Sequence, residues 1–346
     1  MANYAHPEVL VSTDWVAAHA DDPRVRLIEV DIDDRLYAQG HIPNALGWCW
    51  HTDLCDRIRR NLLTPLQFQR LCSRAGITQG TTVVFYGDHH NWFAAYAFWH
   101  FKYYKHPDVR LMDGGSLKWE MEGRPYTRLV PTFPATRYQS FATDECIRAR
   151  RELIFAFLDT KESWLVDVRS PEEFSGKVIA PPGMTETAQR AGHIPGAINI
   201  PWAETVREDD TFKSHEDILD LYTSLGGRAD REVITYCRIG ERSSHTWFVL
   251  KYLLGFEKVR NYDGSWTEWG NLIDAPIERE VAEMIRSSPW RLPRRLLASS
   301  RGKTLPVKTS VHCGAGNTPG PGRGGCCISC EIGSHSGPPA PPPETG

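Results

Sequence analysis

The feature that most constrains the fold of this chain is an internal repeat. The segment "LIEVDIDDRLYAQGHIPNALGW" from Leu27 corresponds to "LVDVRSPEEF", which begins at Leu165, followed by "RAGHIPGAINIPW" from Arg190. The segment "TTVVFYGDHHNWFAAYAFW" from Thr81 corresponds to "REVITYCRIGERSSHTWF" from Arg231, and "DVRLMDGGSLKW" corresponds to "KVRNYDGSWTEW". Because three segments match in the same order, the repeat predicts two copies of one domain within the 346 residues.

Each copy contains short apolar runs that are followed by loops and helical patterns. These runs are Leu27–Val30, Val83–Tyr86, Leu165–Val168 and Val233–Tyr236. Near-continuous apolar strands that alternate with helices are typical of a parallel sheet covered on both faces. We therefore predict an α/β fold with two tandem domains, each a parallel sheet flanked by helices. In such sheets, ligands bind beyond the carboxyl ends of the strands.

The repeat and the local composition divide the chain into four regions. We predict a first domain over 8–126, a linker over 127–143, a second domain over 144–282 and a disordered tail over 283–346. From Cys313 to Gly346, Gly and Pro supply 16 of 34 residues, and Leu, Val, Phe, Tyr and Trp are absent. Such a segment cannot bury enough apolar surface to offset its ordering entropy. Its single C-x-x-C pair, Cys327 and Cys330, is weak evidence for zinc, so we expect no metal.

Composition narrows the classes of partner. A net charge of −3 gives no overall field for binding nucleic acid or an anionic membrane. The N-terminus has no secretory signal pattern, and no apolar run reaches the roughly 18 residues that a membrane helix needs. The nine cysteines are odd in number, and the first five are widely spaced, which is a poor disulfide framework. We therefore expect a cytoplasmic protein with neither nucleic acid nor membrane as a partner.

Cys237 lies where chemistry is expected, after a predicted strand and before a helical pattern. Ser243 or Ser244 is the predicted N-cap of that helix. Inward-facing loop amides and the positive end of a helix favour the thiolate, which is the nucleophilic form of cysteine. Arg238 and Arg242 add cations, so we predict that the local field activates the thiol without a His or Asp base. The alternative is a buried, inert cysteine, the commonest fate of a free thiol.

Over roughly Glu8 to Ile277 the chain resembles the two-domain rhodaneses, which are thiosulfate sulfurtransferases. The segments that carry this resemblance are "GHIPGAINIPW", the loop "CRIGERS" and "DGSWTEW". The resemblance implies that Cys237 takes the outer sulfur of thiosulfate as a persulfide, releases sulfite and passes the sulfur to cyanide or a thiol acceptor, such as a dithiol protein. It implies no cofactor. It also implies that the loop binds the persulfide and the donor through Arg238, Ile239, Gly240, Glu241, Arg242 and Ser243.

Loop length and composition distinguish similar enzymes. Rhodanese-like phosphatases have a C-x5-R loop that encloses phosphate, whereas Cys237 to Arg242 is the shorter C-x4-R. The 3-mercaptopyruvate sulfurtransferases share the loop length but typically have a small residue after the cysteine. Arg238 at that position favours an inorganic dianion as donor. Mercaptopyruvate as donor remains an alternative, and so does a sulfur-carrier or binding module whose turnover is incidental.

One position departs from the resemblance. Some thiosulfate-using relatives carry a lysine two residues after the cysteine, where this chain has Ile239. Part of the donor's charge must then be met elsewhere. We predict that Lys177 or Arg190, in the insertion of the second copy, meets it; the alternative is that both are solvated loop charges.

The first copy lacks the reactive group. Gly87 stands at the position of Cys237, and Asp88 stands where the second copy has Arg238. Glycine cannot form a persulfide, and an aspartate replaces a cation by an anion. We therefore predict that the first copy is catalytically inactive and structural. His41 and His193 occur in the matched "GHIP" segments of both copies, which favours a structural role in a turn.

Overall fold

The computed structural model of the chain describes residues 3–32, 35–140, 142–160, 163–183 and 187–279. The predicted tail over 283–346 lies outside these residues. The prediction of two α/β domains is confirmed, because the chain forms two five-stranded sheets with helices around each of them. No helix in the described part is long and apolar enough to cross a membrane.

The first sheet is built from strands that pair only in parallel. They are β1 (Leu10–Val11), β2 (Val25–Asp31), β3 (Leu46–Cys49), β4 (Thr82–Tyr86) and β5 (Val109–Met112), in the spatial order β1-β5-β4-β2-β3. The helices of this domain are α1 (Thr13–His19), α2 (Arg35–Gln39), α3 (Trp50–Asp53), α4 (Pro65–Arg74), α5 (Trp92–Tyr103) and α6 (Gly115–Met121).

The second sheet repeats this topology. Its strands are β6 (Arg148–Ala149), β7 (Trp164–Asp167), β8 (Ile198–Asn199), β9 (Val233–Tyr236) and β10 (Val259–Tyr262), in the order β6-β10-β9-β7-β8, again all parallel. The helices are α7 (Arg151–Thr160), α8 (Pro171–Ser175), α9 (His215–Ser224), α10 (Glu241–Phe248) and α11 (Ser265–Trp269). The four apolar runs in the sequence agree with β2, β4, β7 and β9 to within two residues at each end.

The strand register is equivalent in the two sheets. Glu29 of β2 pairs with Tyr86 of β4, and Asp167 of β7 pairs with Tyr236 of β9. Strands β4 and β9 are central in their sheets and, apart from the first residue of β4, fully buried, as expected for strands covered on both faces. The residue after each of these strands therefore lies at the same carboxyl edge.

The helices that follow β4 and β9 pack against each other and join the two domains. Phe98 of α5 meets Phe248 of α10 edge to face, with ring centroids 4.9 Å apart. Nearly every residue of α5 is buried, because the helix has its own sheet on one side and α10 on the other. The largest apolar core therefore contains residues of both domains.

The start of α10 differs from the prediction. The helix begins at Glu241, two residues before Ser243, with Gly240 as its N-cap. Gly240 has a φ of 103°, a left-handed conformation that side chains with a Cβ disfavour. A Cβ there would also lie 2.9 Å from the Cα of Asp263. The glycine thus lets the loop close tightly after Cys237 and turn directly into the helix.

The two "GHIP" histidines occupy equivalent turns. His41 forms a backbone bridge with Thr127, and His193 forms one with Glu278. The His41 ring stacks on Tyr37, and the His193 ring stacks on Phe174. In each case the Nδ1 atom of the histidine is hydrogen-bonded to the main-chain oxygen of the same aromatic residue. Both copies thus use the histidine to hold the chain after α2 or α8, which supports the predicted structural role.

Candidate active site

Cys237 lies at the carboxyl end of β9, in the loop that leads into α10. The amide of Gly240 donates a hydrogen bond to its Sγ atom at 3.1 Å. The hydroxyl of Ser243 lies 3.6 Å from Sγ, but its shorter bond, 2.6 Å, goes to the side chain of Asn261. The Cys237 amide donates to the hydroxyl of Ser265 at 3.1 Å. The loop therefore encloses the sulfur, which belongs to a fully buried residue.

A carboxylate accepts a hydrogen bond from this thiol. The Sγ atom of Cys237 lies 3.3 Å from Oε2 of Glu241, with the thiol as donor. Glu241 is fully buried, and its other oxygen, Oε1, lies 3.5 Å from Nε of Arg242. The sequence placed Glu241 in the donor-binding loop, and the structure places its carboxylate directly on the sulfur.

Arg242 is held by a residue that sequence reasoning missed. Its Nη1 and Nη2 atoms donate to the two carboxylate oxygens of Glu173 in α8, at 2.8 and 3.2 Å. Both side chains are buried, with 7% and 1% of their surfaces exposed. Burial lowers the pKa of Arg242, but the hydrogen bonds and charge of Glu173 outweigh burial and raise it above the ordinary value. The guanidinium charge is therefore shared between Glu173 and the loop.

The balance of these charges contradicts one prediction. Burial and the Glu241 carboxylate raise the pKa of Cys237 above its ordinary value, and together they outweigh Arg242 and the hydrogen bonds from Ser243. The expectation that the loop keeps this thiol ionised is therefore wrong for this structure. The physical reason is that burial disfavours the charged sulfur and the Glu241 carboxylate touches it, whereas the guanidinium of Arg242 is already paired with Glu173.

Main-chain oxygens in the rest of the loop accept hydrogen bonds from both domains. Arg238 is buried, and its carbonyl accepts the Thr267 amide at 3.0 Å. The Ile239 side chain belongs to the shared apolar core, and its carbonyl accepts Nη2 of Arg60 at 3.1 Å. Nη1 of Arg60 donates to the Asp263 carbonyl at 3.3 Å. Arg60 belongs to the first domain, so the first copy contacts the Cys237 loop of the second copy directly.

A cavity of about 520 Å³ lies beside this brace. Its lining includes Arg60 of the first domain together with Arg148, Asp263 and Thr267 of the second domain. Arg148 and Asp263 form a buried, bidentate ion pair at 2.9 Å, so their charges largely offset each other. The cavity thus lies at the junction of the two domains, beside Arg60 and Thr267, which contact the Cys237 loop.

The structure places the two predicted auxiliary cations away from the sulfur's contacts. The Arg190 guanidinium donates four hydrogen bonds to main-chain carbonyls of residues 269, 270, 272 and 275. These bonds use four of its five N–H groups, so Arg190 acts as a structural cross-link, and the donor-binding role predicted for it has no support. Lys177 is exposed just beyond the end of α8, and its role stays a prediction.

The equivalent position in the first copy is acidic and closed. The Gly87 amide donates to the side chain of Asn91, and the Asp88 amide donates to Asp31. Burial, with the neighbouring charges of Asp88 and Glu29, raises the pKa of Asp31. A Cβ on Gly87 would lie 2.5 Å from the Val30 carbonyl oxygen. This loop has neither a thiol nor the space for one.

Two residues that contact the loop, Glu173 and Arg60, were not predicted from the sequence, and only Glu173 has a recognisable sequence signal. Glu173 is the last residue of an S-x-x-E pattern that begins at Ser170, and the two residues form a capping box at the start of α8. The pattern predicts a helix start just after β7, at the ligand-binding edge of the sheet. For Arg60 we find no such signal, because it is one of several arginines in the exposed segment "DRIRRN".

Comparison with known proteins identifies the family. The family model described as Rhodanese-like domain matches this chain twice, over residues 12–122 and 155–272. Sulfur carrier protein TtuD of Thermus thermophilus is 55% identical over 280 residues, which are 80% of this chain and 98% of that protein. A protein of Haloferax volcanii named "Putative thiosulfate sulfurtransferase" is 52% identical over 277 residues, which are 79% of this chain and 96% of that protein.

Solved structures show the same architecture. A structure of an EanB variant with a cysteine persulfide and ergothioneine has a TM-score of 0.72 at 25% identity, covering 82% of this chain and 73% of that chain. The crystal structure of YnjE has a TM-score of 0.71 at 24% identity, covering 82% and 71%, and is similar in fold. With its two domain matches and its relatives at more than half identity, the chain belongs to the rhodanese-like domain family of sulfurtransferases.

Proposed function

We propose that this protein is a thiosulfate sulfurtransferase that works through a persulfide on Cys237. The Cys237 thiolate attacks the outer sulfur of thiosulfate, the S–S bond of the donor breaks, and sulfite leaves with the bonding electron pair. Cyanide or a thiol then attacks the outer sulfur of the persulfide, and the Cys237 thiolate is regenerated. For cyanide, the product is thiocyanate. The first domain contributes no reacting group.

The observation that carries this proposal is the position of the Cys237 sulfur inside its loop. The Gly240 amide already donates to Sγ, and Nε of Arg242 lies 3.5 Å from the second oxygen of the Glu241 carboxylate that accepts the thiol. A backbone amide that donates to the sulfur, with a guanidinium in the same buried site, favours an anionic sulfur species there. The names of relatives at about half identity point to the same chemistry, as does the persulfide in the EanB variant.

Access to the sulfur has to be part of the mechanism. Cys237 is fully buried in the free protein, so a donor reaches it only after the loop or a neighbouring side chain moves. Burial also excludes water, which protects a persulfide from reactions with solvent solutes and strengthens its electrostatic contacts.

Product analysis tests the proposal. Stoichiometric thiosulfate should release one sulfite per active chain before an acceptor is added, and cyanide should then release an equal amount of thiocyanate. Cys237→Ser should abolish both products. Cys146→Ser is the matched control, because Cys146 is an exposed thiol outside the loop, and this variant should behave like the wild type. Sulfite release by Cys237→Ser would rule the proposal out.

A sulfur-carrier function is the second candidate, favoured by the name of the Thermus thermophilus relative. A carrier would form the same persulfide but would deliver it to a protein partner. Reaction of the loaded protein with cyanide and with a reduced dithiol protein, thioredoxin, distinguishes the two. Rapid transfer to cyanide favours the enzyme. A persulfide that survives cyanide but transfers to the dithiol favours the carrier.

The identity of the preferred sulfur donor needs a separate test, because the loop length is also that of the 3-mercaptopyruvate sulfurtransferases. Steady-state kcat/KM values for thiosulfate and 3-mercaptopyruvate, with cyanide as the common acceptor, decide between them. We expect the larger value for thiosulfate, since Arg238 and Arg242 favour a small dianion. A large preference for mercaptopyruvate would reverse this assignment.

A further inference from the structure

The buried carboxylate of Glu241 has only part of the hydrogen bonding that a carboxylate needs. Oε2 accepts the Cys237 thiol at 3.3 Å. Among the described residues, Oε1 has no hydrogen-bond partner, and its ion contact with Nε of Arg242 at 3.5 Å lacks hydrogen-bond geometry. A buried carboxylate oxygen without a hydrogen-bond partner is costly, because nothing replaces the hydration that it has lost.

The surrounding charged groups are largely engaged elsewhere. Nε of Arg242 lies 3.5 Å from Glu241, but its Nη1 and Nη2 atoms are bound to Glu173. At the end of the neighbouring strand β10, Asp263 is paired with Arg148, and at the end of β7, Asp167 is paired with Arg169. The loop itself adds the buried Arg238. The carboxylate that touches the thiol is therefore the group best placed to exchange a proton with it.

We propose that Glu241 is the proton acceptor for Cys237 when sulfur is loaded, so that the loop carries its own general base. The proposal rests on the proposed function, because it concerns the same transfer of sulfur. It replaces the idea that the electric field of the loop alone ionises the thiol. Glu241 counts as a catalytic residue in this scheme, since its oxygen touches the reacting atom.

The proton and the charge balance in each step. The thiol of Cys237 gives its proton to the carboxylate of Glu241, and the resulting thiolate takes the outer sulfur of thiosulfate as sulfite leaves. Before loading, the pair carries one negative charge on the carboxylate. After loading, it again carries one negative charge, now on the outer sulfur of the persulfide.

Because the net charge of the Cys237–Glu241 pair stays constant, the environment of Arg242 changes little during loading. The guanidinium faces one unit of negative charge from the pair in both states, so the buried site needs no counterion from solvent when sulfur binds. When cyanide removes the outer sulfur as thiocyanate, the proton returns from Glu241 to the Cys237 thiolate. The cycle therefore exchanges no proton with water at the cysteine.

The test compares proton release with persulfide formation in single-turnover experiments on the full chain. Thiosulfate is mixed with protein in weak buffer that contains an indicator dye, and the persulfide is counted by intact-mass spectrometry. The proton count is corrected for uptake by the released sulfite. The pH dependence of iodoacetamide alkylation gives the protonation state of the free thiol. Experiments are run at a pH at which that thiol is protonated.

The variants are Glu241→Gln and Glu241→Asp, with Glu172→Gln as the matched control. Glu172 is an exposed carboxylate in α8, next in sequence to Glu173. Wild type and Glu172→Gln should release no proton for each persulfide formed, whereas Glu241→Gln should release about one. Below the thiol midpoint, the loading rate of Glu241→Gln should rise about tenfold per pH unit, while the wild-type rate stays flat. Glu241→Asp keeps a carboxylate and should restore the flat profile.

Several results would overturn the inference. A wild-type thiol that is already ionised before thiosulfate is added would leave nothing for Glu241 to accept. A protonated wild-type thiol that releases about one proton per persulfide would show that the acceptor is water or buffer. A Glu241→Gln rate that falls by the same factor at every pH would assign Glu241 a structural role. If Glu241→Gln does not fold, the wild-type proton count still decides. A complete lack of sulfur gain would instead refute the proposed function.

Discussion

Removal of the Arg242 guanidinium would leave the Glu173 carboxylate buried without its main partner. The two groups are joined by hydrogen bonds of 2.8 and 3.2 Å, and only 1% of the Glu173 side chain is exposed. Removing one member of such a pair typically costs about 3–5 kcal/mol, because an uncompensated charge stays in a region of low polarity. We therefore expect Arg242→Met, which keeps much of the side-chain volume, to lower the free energy of unfolding by about that amount.

A second substitution separates stability from donor binding. Glu173→Gln keeps an oxygen that can accept the Ser170 amide in the α8 cap but carries no charge. In the double variant Arg242→Met/Glu173→Gln, stability should recover by about 2 kcal/mol relative to Arg242→Met. Sulfur loading from thiosulfate should stay low in both variants, because both lack the guanidinium next to the loop. Comparison of the wild type, the single variant and the double variant thus distinguishes an unfolded site from a folded site that lacks its cation.

Urea unfolding followed by circular dichroism measures the stability, and intact-mass spectrometry measures the loading. The matched control is Arg228→Met, which breaks an exposed pair with Asp230 in which 70% of each side chain is exposed. Exposed pairs contribute about 0–1 kcal/mol, so this control should unfold almost as the wild type does. An Arg242→Met protein that unfolds within about 1 kcal/mol of the wild type would refute the reasoning on the buried pair.

Two further predictions concern other buried or bridging groups. Burial lowers the pKa values of His100 and His245 from 6.5 to about 3, with smaller electrostatic contributions from Arg148 at His100 and from His90 at His245. Because the unfolded chain takes up protons below about pH 6.5 that the folded chain refuses, stability should fall as the pH drops from about 6.5 towards 3, by up to about 1.4 kcal/mol per pH unit for each histidine. Urea unfolding at several pH values should show this slope, and His100→Phe should make it shallower; an unchanged slope would contradict the assignment to His100. Arg60→Ala should remove the two partly exposed hydrogen bonds that brace the Cys237 loop, lower the free energy of unfolding by about 1 kcal/mol and lower kcat/KM for thiosulfate by up to about fivefold. Arg59→Ala is its control, and equal effects of the two variants would show that only surface charge matters.

Much of this arrangement could be predicted from the sequence because it depends on local patterns. The repeat predicted two copies of one fold, and apolar runs of four residues located the central strands. The rule that ligands bind at the carboxyl ends of parallel strands then pointed to Cys237 rather than to the other thiols. The glycine at position 87 predicted the lack of a reactive group in the first copy. Each of these inferences needs only neighbouring residues or the comparison of the two repeats.

The errors arose where a residue's partner is distant in sequence. Glu173 and Arg242 are 69 residues apart, so the sequence showed a loop cation but not the anion that shares its charge. Arg190 looked like a spare cation in an insertion, yet its guanidinium is taken up by carbonyls about 80 residues away. The direction of the Cys237 pKa shift depends on burial and on which side chain touches the sulfur. A count of charges along the loop contains neither quantity.

The most direct test of this account is the mass of the protein after incubation with thiosulfate and removal of excess donor. The account predicts that each chain gains one sulfur atom, that peptide mapping without reductant places it on Cys237, and that cyanide removes it. An unchanged mass, or an added sulfur on Cys146 or another thiol outside the loop, would contradict the claim that this buried cysteine carries the transferred sulfur.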